Sequence, residues 1–411
     1  MKRLLLIGAG HAHAQVLRDW IDQPVPGVEL RLVSPSALAP YSGMVPGWLA
    51  GQYRFEDICI DFAALAAAAG AVLHTGELAT MDPAARQVQL ADGTRLGYDL
   101  MSLNVGSTLL PPARSALPPS ANPAVNPAVN HATNSAAAQP PFTTAHDRHP
   151  QVLTLRPLGA LHLAWQALLA QPHISQAHTP LCITAVGGGA AGVESLLAVL
   201  ARLRALQPGR RLTGRLVTRA KTLLPGMAPG AVRAAAAALA AAGVQVQTGT
   251  ALDAQTPTDL LLWATGAQAH AWQARSGLAV GDSGFIRIDA QLRSVSHPDV
   301  LAVGDCAEWA VPLPKAGVFA VRMGPVLSHN LRAVLTGQPL HTFRPQRRFL
   351  ALLVTADAGN APRAIASWGR WSVQGRWVWR WKDRIDRAFL RRFSAKHANI
   401  SPDPQAGAHP P

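Results

Sequence analysis

The sequence predicts an α/β protein with two units of parallel β-sheet, and three observations lead to that prediction. The chain has 411 residues, more than one domain usually holds. Two glycine-rich turns, beginning at Gly8 and Gly187, each follow an apolar run and precede a helical pattern. A further apolar strand, 299–303, ends in Gly304-Asp305. Strands that alternate with helices in this way are typical of parallel sheets.

Both glycine-rich turns have a residue pattern that lets the backbone approach a phosphate. The second turn, 187–192, has the pattern G-x-G-x-x-G and follows the apolar run 181–186. Its small residues allow contact with a pyrophosphate, whose charge then lies at a helix N-terminus. The first turn, 8–10, follows the apolar residues 4–7 in the same way. Two such turns predict two dinucleotide sites, one for a bound flavin and one for a nicotinamide coenzyme.

Composition restricts the kind of redox centre and the cellular location. Cys59, Cys182 and Cys306 lie far apart without a Cys-x-x-Cys, which argues against a dithiol centre and a disulfide framework. No run approaches the roughly 20 apolar residues that a membrane span needs. The chain enters a strand at once and leaves no room for a signal peptide. We expect a cytoplasmic protein, and peripheral association with the inner face of the cytoplasmic membrane stays open.

Five motifs in this order resemble those of the FAD-dependent pyridine nucleotide-disulfide oxidoreductase superfamily. They are Gly8-x-Gly10, Tyr98-Asp99 with Gly106-Ser107, Gly187-x-Gly189-x-x-Gly192-Val193-Glu194, Ala264-Thr265-Gly266 and Gly304-Asp305. The resemblance covers most of residues 1–335. It implies an enzyme with two Rossmann-like domains, in which the domain that binds NAD(P)H is inserted into the domain that binds FAD.

Other segments resemble a narrower group, the NADH dehydrogenase-like flavoproteins often fused to selenide water dikinase. These segments are GAGHAH at 8–13, PYSGM at 40–44, PKAGVFAVR at 314–322 and RWKDRIDR at 380–387. The chain ends too soon to carry the kinase, so it resembles the free-standing form. A link to selenium metabolism rests on this resemblance alone.

The predicted domain organisation combines the motif order with one change in composition. Residues 110–150 are rich in Pro, Ala, Asn and Ser, a composition that cannot bury enough apolar surface to order itself. The predicted divisions are an FAD-binding domain in two parts (1–109 and 276–340), a flexible insertion (110–150), an NAD(P)H-binding domain (151–275) and a basic, Trp-rich α+β segment (341–411).

The resemblance also implies roles for individual residues. Asp305 would hydrogen-bond the ribityl–phosphate region of FAD, and Glu194 would lie near the nicotinamide. For Lys315 two interpretations stay open: an ammonium near the flavin that favours its anionic reduced form, or a solvated loop charge. Glycines of the motifs would line the two coenzyme sites, with Gly8, Gly10 and Gly106 at FAD and Gly187, Gly189, Gly192 and Gly266 at NAD(P)H.

Several positions depart from the superfamily's pattern. His13 stands where the first turn should have its third glycine, so its side chain must turn away from the helix–strand contact or the helix must lie further out. We interpret His11 and His13 as polar groups near phosphate rather than metal ligands, because no third ligand has a recognisable spacing. Ser34 replaces the acidic residue expected at the adenosine ribose of FAD. No metal is expected.

The corresponding strand end in the second unit carries Thr218-Arg219. No carboxylate stands at this strand end, and an arginine does, so the site tolerates the 2′-phosphate of NADPH. This favours NADPH or the use of both coenzymes. Arg219 as a plain surface charge stays open. The electron acceptor is unidentified: the stretch 316–323 lacks the glutamine that type II NADH dehydrogenases carry near the quinone, and the paired cysteines of sulfide:quinone reductases are missing.

The C-terminal segment concentrates positive charge and tryptophan. Residues 344–396 contain 13 Lys/Arg and 3 Asp, within a chain of net charge +14, and residues 368–381 contain five of the 11 tryptophans. Val378, Trp381, Ile385, Ala388 and Phe389 recur at helical spacing and predict one apolar helix face. An interfacial helix on an anionic membrane and a subdomain or homodimer contact are the open interpretations. Nucleic-acid binding is disfavoured because no such motif accompanies the tryptophans.

Two functional hypotheses follow. The first is an FAD-dependent NAD(P)H oxidoreductase that passes hydride from NAD(P)H to FAD and electrons on to an unidentified acceptor, with quinone among the candidates. The second is a flavin-bearing redox-sensing or binding protein whose basic tail docks to a membrane or a partner.

Overall fold

The structure is a computed structural model that describes residues 1–111, 113, 117, 118, 120, 150–175, 179–346, 348–356 and 361–394. Most of the predicted insertion at 110–150 lies outside the described residues.

The strands are β1 (Lys2–Ile7), β2 (Val28–Ser34), β3 (Leu38–Pro40), β4 (Cys59–Asp61), β5 (Val72–Thr75), β6 (Leu78–Asp82), β7 (Gln87–Leu90), β8 (Arg95–Gly97), β9 (Leu100–Leu103), β10 (Gln151–Thr154), β11 (Leu181–Val186), β12 (Leu212–Thr218), β13 (Val244–Thr248), β14 (Leu260–Trp263), β15 (Ile286–Arg287), β16 (Val300–Ala302), β17 (Ala307–Glu308), β18 (Ala351–Ala356), β19 (Pro362–Trp368) and β20 (Trp371–Gly375). The helices are α1 (His11–Asp22), α2 (Val45–Leu49), α3 (Phe62–Ala68), α4 (Leu158–Leu169), α5 (Pro172–Ser175), α6 (Ala190–Leu206), α7 (Pro229–Ala241), α8 (Gly317–Thr336) and α9 (Arg376–Arg391).

The first sheet is assembled from two separate stretches of the chain. Its order is β16-β9-β1-β2-β5, and all neighbours are parallel. Residues Leu4–Ile7 of β1 are buried without interruption, because both faces of a parallel sheet are covered. Helix α1 buries Ala12, Val16 and Trp20 and packs against α8, which comes from the far end of the chain. The carboxyl ends of β1, β9 and β16 therefore meet at one edge.

The second sheet lies between those two stretches in sequence. Its order is β10-β14-β11-β12-β13, again with parallel neighbours throughout. Helix α6 packs on β11 and β12, and α7 packs on β13. The predicted α/β fold with two Rossmann-like units is confirmed, since the second sheet interrupts the chain of the first. The predicted domain limits stay predictions.

The C-terminal segment forms an antiparallel sheet, β18-β19-β20, followed by α9. Helix α9 packs on β19, while α6 contacts β18 and α7 contacts β20. The predicted small α+β segment is confirmed, and it rests on the second unit. Within the described ranges, no helix has both the length and the apolar character that crossing a bilayer requires.

Candidate functional site: two glycine turns and the side chains between them

The first glycine turn brings the ends of three strands together. Gly8 has φ +98°, and a Cβ there would lie 2.5 Å from the carbonyl oxygen of Asn104. A Cβ at Gly10 would overlap the Asn104 side chain. The buried Asn104 amide accepts from the N–H of Ala12 (3.1 Å) and donates to the carbonyl of Val303 (3.1 Å). Sequence analysis missed Asn104, although a polar residue directly after the apolar strand 100–103 was a usable signal.

The structure decides between the two alternatives that the sequence left open for His13. Its side chain does not turn away from the helix–strand contact; it is fully buried there. Nδ1 donates to the carbonyl of Gly8 (2.6 Å), which leaves Nε2 to accept from the Ser102 hydroxyl (2.8 Å). Both ring nitrogens are satisfied, so burial of the ring is tolerated. Burial lowers the pKa of His13 to about 4, so the ring is neutral at pH 7.

Helices α1 and α6 both begin at ends that can receive an anion. The N-cap residues Gly10 and Gly189 offer no capping side chain, and no acidic residue lies in the first turn of either helix. In α1 the Asn104 side chain accepts from the N–H of Ala12 alone. Unsatisfied N–H groups and the helix dipole attract negative charge at such an end. Each sheet therefore presents a phosphate-binding end at its carboxyl edge.

The other predicted FAD contacts lie along the same edge of the first sheet. Ser34 closes β2, is buried and donates to the carbonyl of Ser36 (2.7 Å). Gly106 follows β9 with φ +72°. His11 opens α1 half-buried, with ring centroids 5.4 Å from Tyr41 and 5.8 Å from Phe389. Burial lowers the pKa of His11 to about 4, although the negative charge of Asp305 acts to raise it. Ser34, Gly106 and His11 remain predicted contacts of FAD.

Asp305 lies in a short turn after β16. It contacts Arg156, a residue that the sequence did not identify as part of the site. Its carboxylate forms an ion pair with Arg156, which comes from the segment between β10 and α4. The Ser107 hydroxyl donates to the same carboxylate (3.3 Å). The only local signal for Arg156 was an Arg-Pro pair before a helical pattern. The free thiol of nearby Cys306 is buried and donates to the carbonyl of Val303 (3.2 Å), so it is packed inside the protein.

The second glycine turn joins β11 to α6 by direct backbone packing. Gly187 has φ +125°, and a Cβ there would overlap the carbonyl oxygen of Ala264. A Cβ at Gly192 would overlap the carbonyl oxygen of Gly187. Gly189 stands free of such contacts, as Gly266 does.

Thr218 and Arg219 end β12 beside this turn. Thr218 is buried and its hydroxyl accepts from the N–H of Ala220 (3.2 Å). Arg219 is exposed. Both stay predicted contacts of the coenzyme's ribose end.

Comparison with known proteins agrees with this arrangement. Residues 164–325 match the family model described as pyridine nucleotide-disulphide oxidoreductase. Residues 164–325 are thus similar in sequence to the pyridine nucleotide-disulfide oxidoreductase family. Demethylphylloquinone reductase NdbB of Synechocystis sp. is 31% identical over 194 residues, which are 41% of this chain and 46% of that protein. The match thus spans about half of that relative's length.

Solved structures share the fold over nearly the whole chain. The sulfide:quinone oxidoreductase of Aquifex aeolicus covers 98% of this chain and 93% of its own, with a TM-score of 0.69 and 16% identity. A ferredoxin reductase of Rhodopseudomonas palustris covers 89% of this chain and 82% of its own, with a TM-score of 0.63 and 18% identity. At these identities the likeness concerns the fold.

The cofactors of the pyridine nucleotide-disulfide oxidoreductase superfamily, FAD and NAD(P)H, fit the two turns. Gly10 and Gly189, at the N-caps of α1 and α6, place no capping side chain where a pyrophosphate would bind. A side chain at Gly8 or Gly187 would clash with the backbone of the neighbouring strand end, so these glycines are needed to build each cradle.

The two residues predicted as catalytic have partners within the protein. The Lys315 ammonium donates to the carbonyl of Ala307 (2.6 Å) and lies 3.7 Å from the centroid of the Phe285 ring. Burial lowers its pKa, and the half-buried side chain is held by these two contacts, while its place near the flavin stays a prediction. The Glu194 carboxylate accepts from the N–H of Val354 in β18 (2.6 Å). Burial raises the pKa of Glu194 to about 7, against the opposing charge of Lys382, and its place near the nicotinamide stays a prediction.

Helix α9 covers the first glycine turn from the side. Its buried Lys382 and Asp386 form an ion pair (2.5 Å), and Lys382 also donates to the carbonyl of Gly43 (2.5 Å). The Phe389 ring lies 4.7 Å from the Tyr41 ring. Asp383 and Arg387, one turn apart, form a second ion pair (3.0 Å).

The predicted apolar face of α9 is buried only in part. Val378 is buried and Phe389 is half-buried, whereas Trp381, Ile385 and Ala388 are exposed. The reason is that the helix packs with the stripe that contains the Lys382–Asp386 pair facing inward, so one side of the apolar face remains exposed.

Proposed function

We propose that this chain is an FAD-dependent NAD(P)H oxidoreductase. The observation that carries the proposal is a pair of helix starts with glycine at the N-cap, each following a glycine turn at the carboxyl edge of a parallel sheet in the same chain. One such site would hold the FAD pyrophosphate and the other that of NAD(P)H. The superfamily match agrees with this use of the two sites.

When bound, FAD supplies the redox chemistry, accepting a hydride from NAD(P)H and returning two electrons to an acceptor. The chain's residues bind and orient. The turns containing Gly8 and Gly187 position the two pyrophosphates, and Asp305 with Ser107 would hold the ribityl region. Thr218 and Arg219 would tolerate the 2′-phosphate of NADPH, because no carboxylate opposes it.

Anaerobic reduction tests the proposal directly. The full chain, purified with added FAD, should lose its visible flavin absorbance within seconds of adding NADPH or NADH, with NADPH at least as effective. Free FAD under the same conditions is the control for a rate that depends on the protein. A chain that binds no FAD contradicts the proposal. Bound FAD that neither coenzyme reduces favours the redox-sensing alternative.

We further propose a quinone at a membrane surface as the acceptor, because α9 joins the flavin region to an exposed tryptophan surface. Opposite its buried face, α9 exposes Trp377 and Trp381, one turn apart. The cross-strand pair Trp368–Trp371 continues this surface on the sheet. The exposed fractions are 53% for Trp368, 69% for Trp371, 58% for Trp377 and 41% for Trp381. Two relatives carry a quinone in their names.

The charge of this surface suits an anionic bilayer. Arg376, Arg380 and Arg384 are exposed on α9 beside the tryptophans. Tryptophan side chains prefer the headgroup region, and each arginine near anionic lipid adds about 1 kcal/mol of attraction. A quinone dissolved in that bilayer would reach the protein beside Tyr41 and Phe389.

Sedimentation with vesicles of phosphatidylcholine and phosphatidylserine tests the docking surface. The double variant Trp377→Ala/Trp381→Ala should bind at least fivefold more weakly than the wild type. Leu163→Ala, which removes an exposed apolar side chain of α4, is the matched control and should bind normally. Equal binding of all three proteins contradicts docking, and a wild-type dimer that the double variant converts to monomer favours the dimer-contact interpretation.

A further inference from the structure

One cationic side chain reaches from the edge of the second sheet to the carboxyl edge of the first. Arg156 leaves the chain between β10 and α4. Its Nη1 contacts both the Ser107 hydroxyl and the Asp305 carboxylate, and its Nη2 donates to the carbonyl of Lys315 (3.4 Å). Three groups, one that follows β9 and two that follow β16 in sequence, thus fix one half-buried guanidinium.

The strand order indicates which half of FAD passes this guanidinium. The pyrophosphate of FAD would lie at the end of β1, and its adenosine ribose would lie at the end of β2. The rest of FAD must therefore extend the other way, across the ends of β9 and β16, which carry Ser107 and Asp305. With strands about 4.8 Å apart, β16 lies about 10 Å from β1, a span that the ribityl chain and the flavin ring would cover.

Two other basic groups near this edge are less suited to face the flavin. The Lys315 ammonium is directed to the carbonyl of Ala307 and the Phe285 ring. The His11 ring is neutral at pH 7, because burial lowers its pKa to about 4. Arg156 carries a planar guanidinium, which holds its N–H donors in one fixed plane.

On the basis of the proposed function, we propose that Arg156 is the cation that faces the bound flavin and favours its reduced, anionic form. The hydride brings two electrons and one proton from NAD(P)H, which leaves as NAD(P)⁺, so the flavin gains one negative charge. A guanidinium fixed by Ser107, Asp305 and the Lys315 carbonyl would stabilise that charge without having to reorient. Asp305 would then position Arg156 in addition to holding the ribityl region.

The midpoint potential of bound FAD and the affinity of the flavin for sulfite, which adds a negative charge to the ring without electron transfer, test this inference. In full-length, FAD-loaded Arg156→Gln, the affinity for reduced flavin should fall about tenfold relative to the affinity for oxidised flavin. For a two-electron couple this change lowers the midpoint potential by about 30 mV. Sulfite should bind about tenfold more weakly. The midpoint potential and sulfite affinity of Arg156→Lys should lie between those of the wild type and Arg156→Gln, because lysine keeps the positive charge and loses the planar array of N–H donors.

Lys315→Met tests the alternative that Lys315 is the cation that faces the flavin. It should change the midpoint potential and the sulfite affinity less than Arg156→Gln does. A wild-type potential and sulfite affinity in both Arg156 variants, or a larger shift in Lys315→Met, would overturn the inference. If Arg156→Gln does not retain FAD, Arg156→Lys decides by the same two measurements. A wild-type chain that NAD(P)H does not reduce refutes the proposed function, whereas normal reduction with unchanged Arg156 variants refutes only this inference.

Discussion

The two glycine turns solve one packing problem in different ways. Gly8, Gly10, His13 and Gln15 of the first turn correspond in spacing to Gly187, Gly189, Gly192 and Glu194 of the second. In the second turn the α6 backbone lies so close to the Gly187 carbonyl that a Cβ at Gly192 would overlap it. In the first turn the His13 ring fills that place and donates to the carbonyl of Gly8.

This difference separates the roles of the glycines in the G-x-G-x-x-G pattern. The first glycine has positive φ in both turns and faces the backbone of a neighbouring strand end, Asn104 in one unit and Ala264 in the other. The third position instead sets the distance between helix and strand. A side chain is accepted there when it can satisfy the carbonyl beside it, as the imidazole of His13 does.

The largest expected effect follows from placing a side chain in the second turn. Gly192→Ala forces a methyl group against a backbone carbonyl that cannot rotate away. We expect a loss of about 3 kcal/mol or more in the free energy of unfolding, and at least tenfold slower flavin reduction by NAD(P)H. Denaturant unfolding and stopped-flow absorbance measure the two effects.

Gly189→Ala is the matched control for stability, because a Cβ there has no close neighbour and φ is −78°. It should unfold like the wild type. Equal stability of Gly192→Ala and Gly189→Ala would show that α6 shifts freely, and the contrast between the two turns would disappear.

Removal of the ring from the first turn should have the next largest effect. His13→Ala leaves a cavity and takes a hydrogen-bond partner from Gly8 and from Ser102, so we expect a loss of about 2–3 kcal/mol. A double-mutant cycle with Ser102→Ala should give a coupling energy of about 1 kcal/mol. No coupling would mean that the ring contributes by volume alone.

Acid should weaken the same contact. The pKa of His13 is about 4 in the fold and 6.5 when unfolded, so the unfolded chain binds the proton first as the pH falls. Stability is therefore lost on acidification from pH 6.5 towards pH 4. His13→Ala should lose less stability than the wild type between pH 7 and pH 5, and a parallel loss in the two proteins would contradict a neutral buried ring.

The fold could be predicted from local patterns, whereas much of the site could not. Apolar runs followed by glycine turns identify β1–α1 and β11–α6, because backbone geometry at Gly8 and Gly187 is a local requirement. Arg156 meets Asp305 across 149 residues through tertiary packing alone, and no periodicity in the sequence indicates that contact.

Helix α9 shows the same limit on a smaller scale. Its spacing correctly marks an amphipathic helix, yet the inward face includes the Lys382–Asp386 pair. That orientation depends on the distant carbonyl of Gly43, which accepts from Lys382. Periodicity describes the helix, while its partners decide which face is buried.

The last pair in the comparison, Gln15 and Glu194, places a neutral amide in one helix and a buried carboxyl in the other. Gln15 donates to Asp19 (2.7 Å), whereas Glu194 accepts from the N–H of Val354 (2.6 Å). Burial raises the pKa of Glu194 from 4.5 to about 7. Between these values the unfolded chain has released a proton that the fold retains, so stability falls as the pH rises.

Glu194→Gln makes the second helix resemble the first and keeps an acceptor for Val354. At pH 8 it should be more stable than the wild type by about 2 kcal/mol, and the difference should shrink towards zero at pH 4.5. Denaturant unfolding at pH 4.5, 6 and 8 measures this. The exposed Glu56→Gln is the control and should change stability little at each pH. A difference for Glu194→Gln that stays constant with pH would mean that the buried carboxyl remains ionised, stabilised by Lys382 more strongly than burial opposes it.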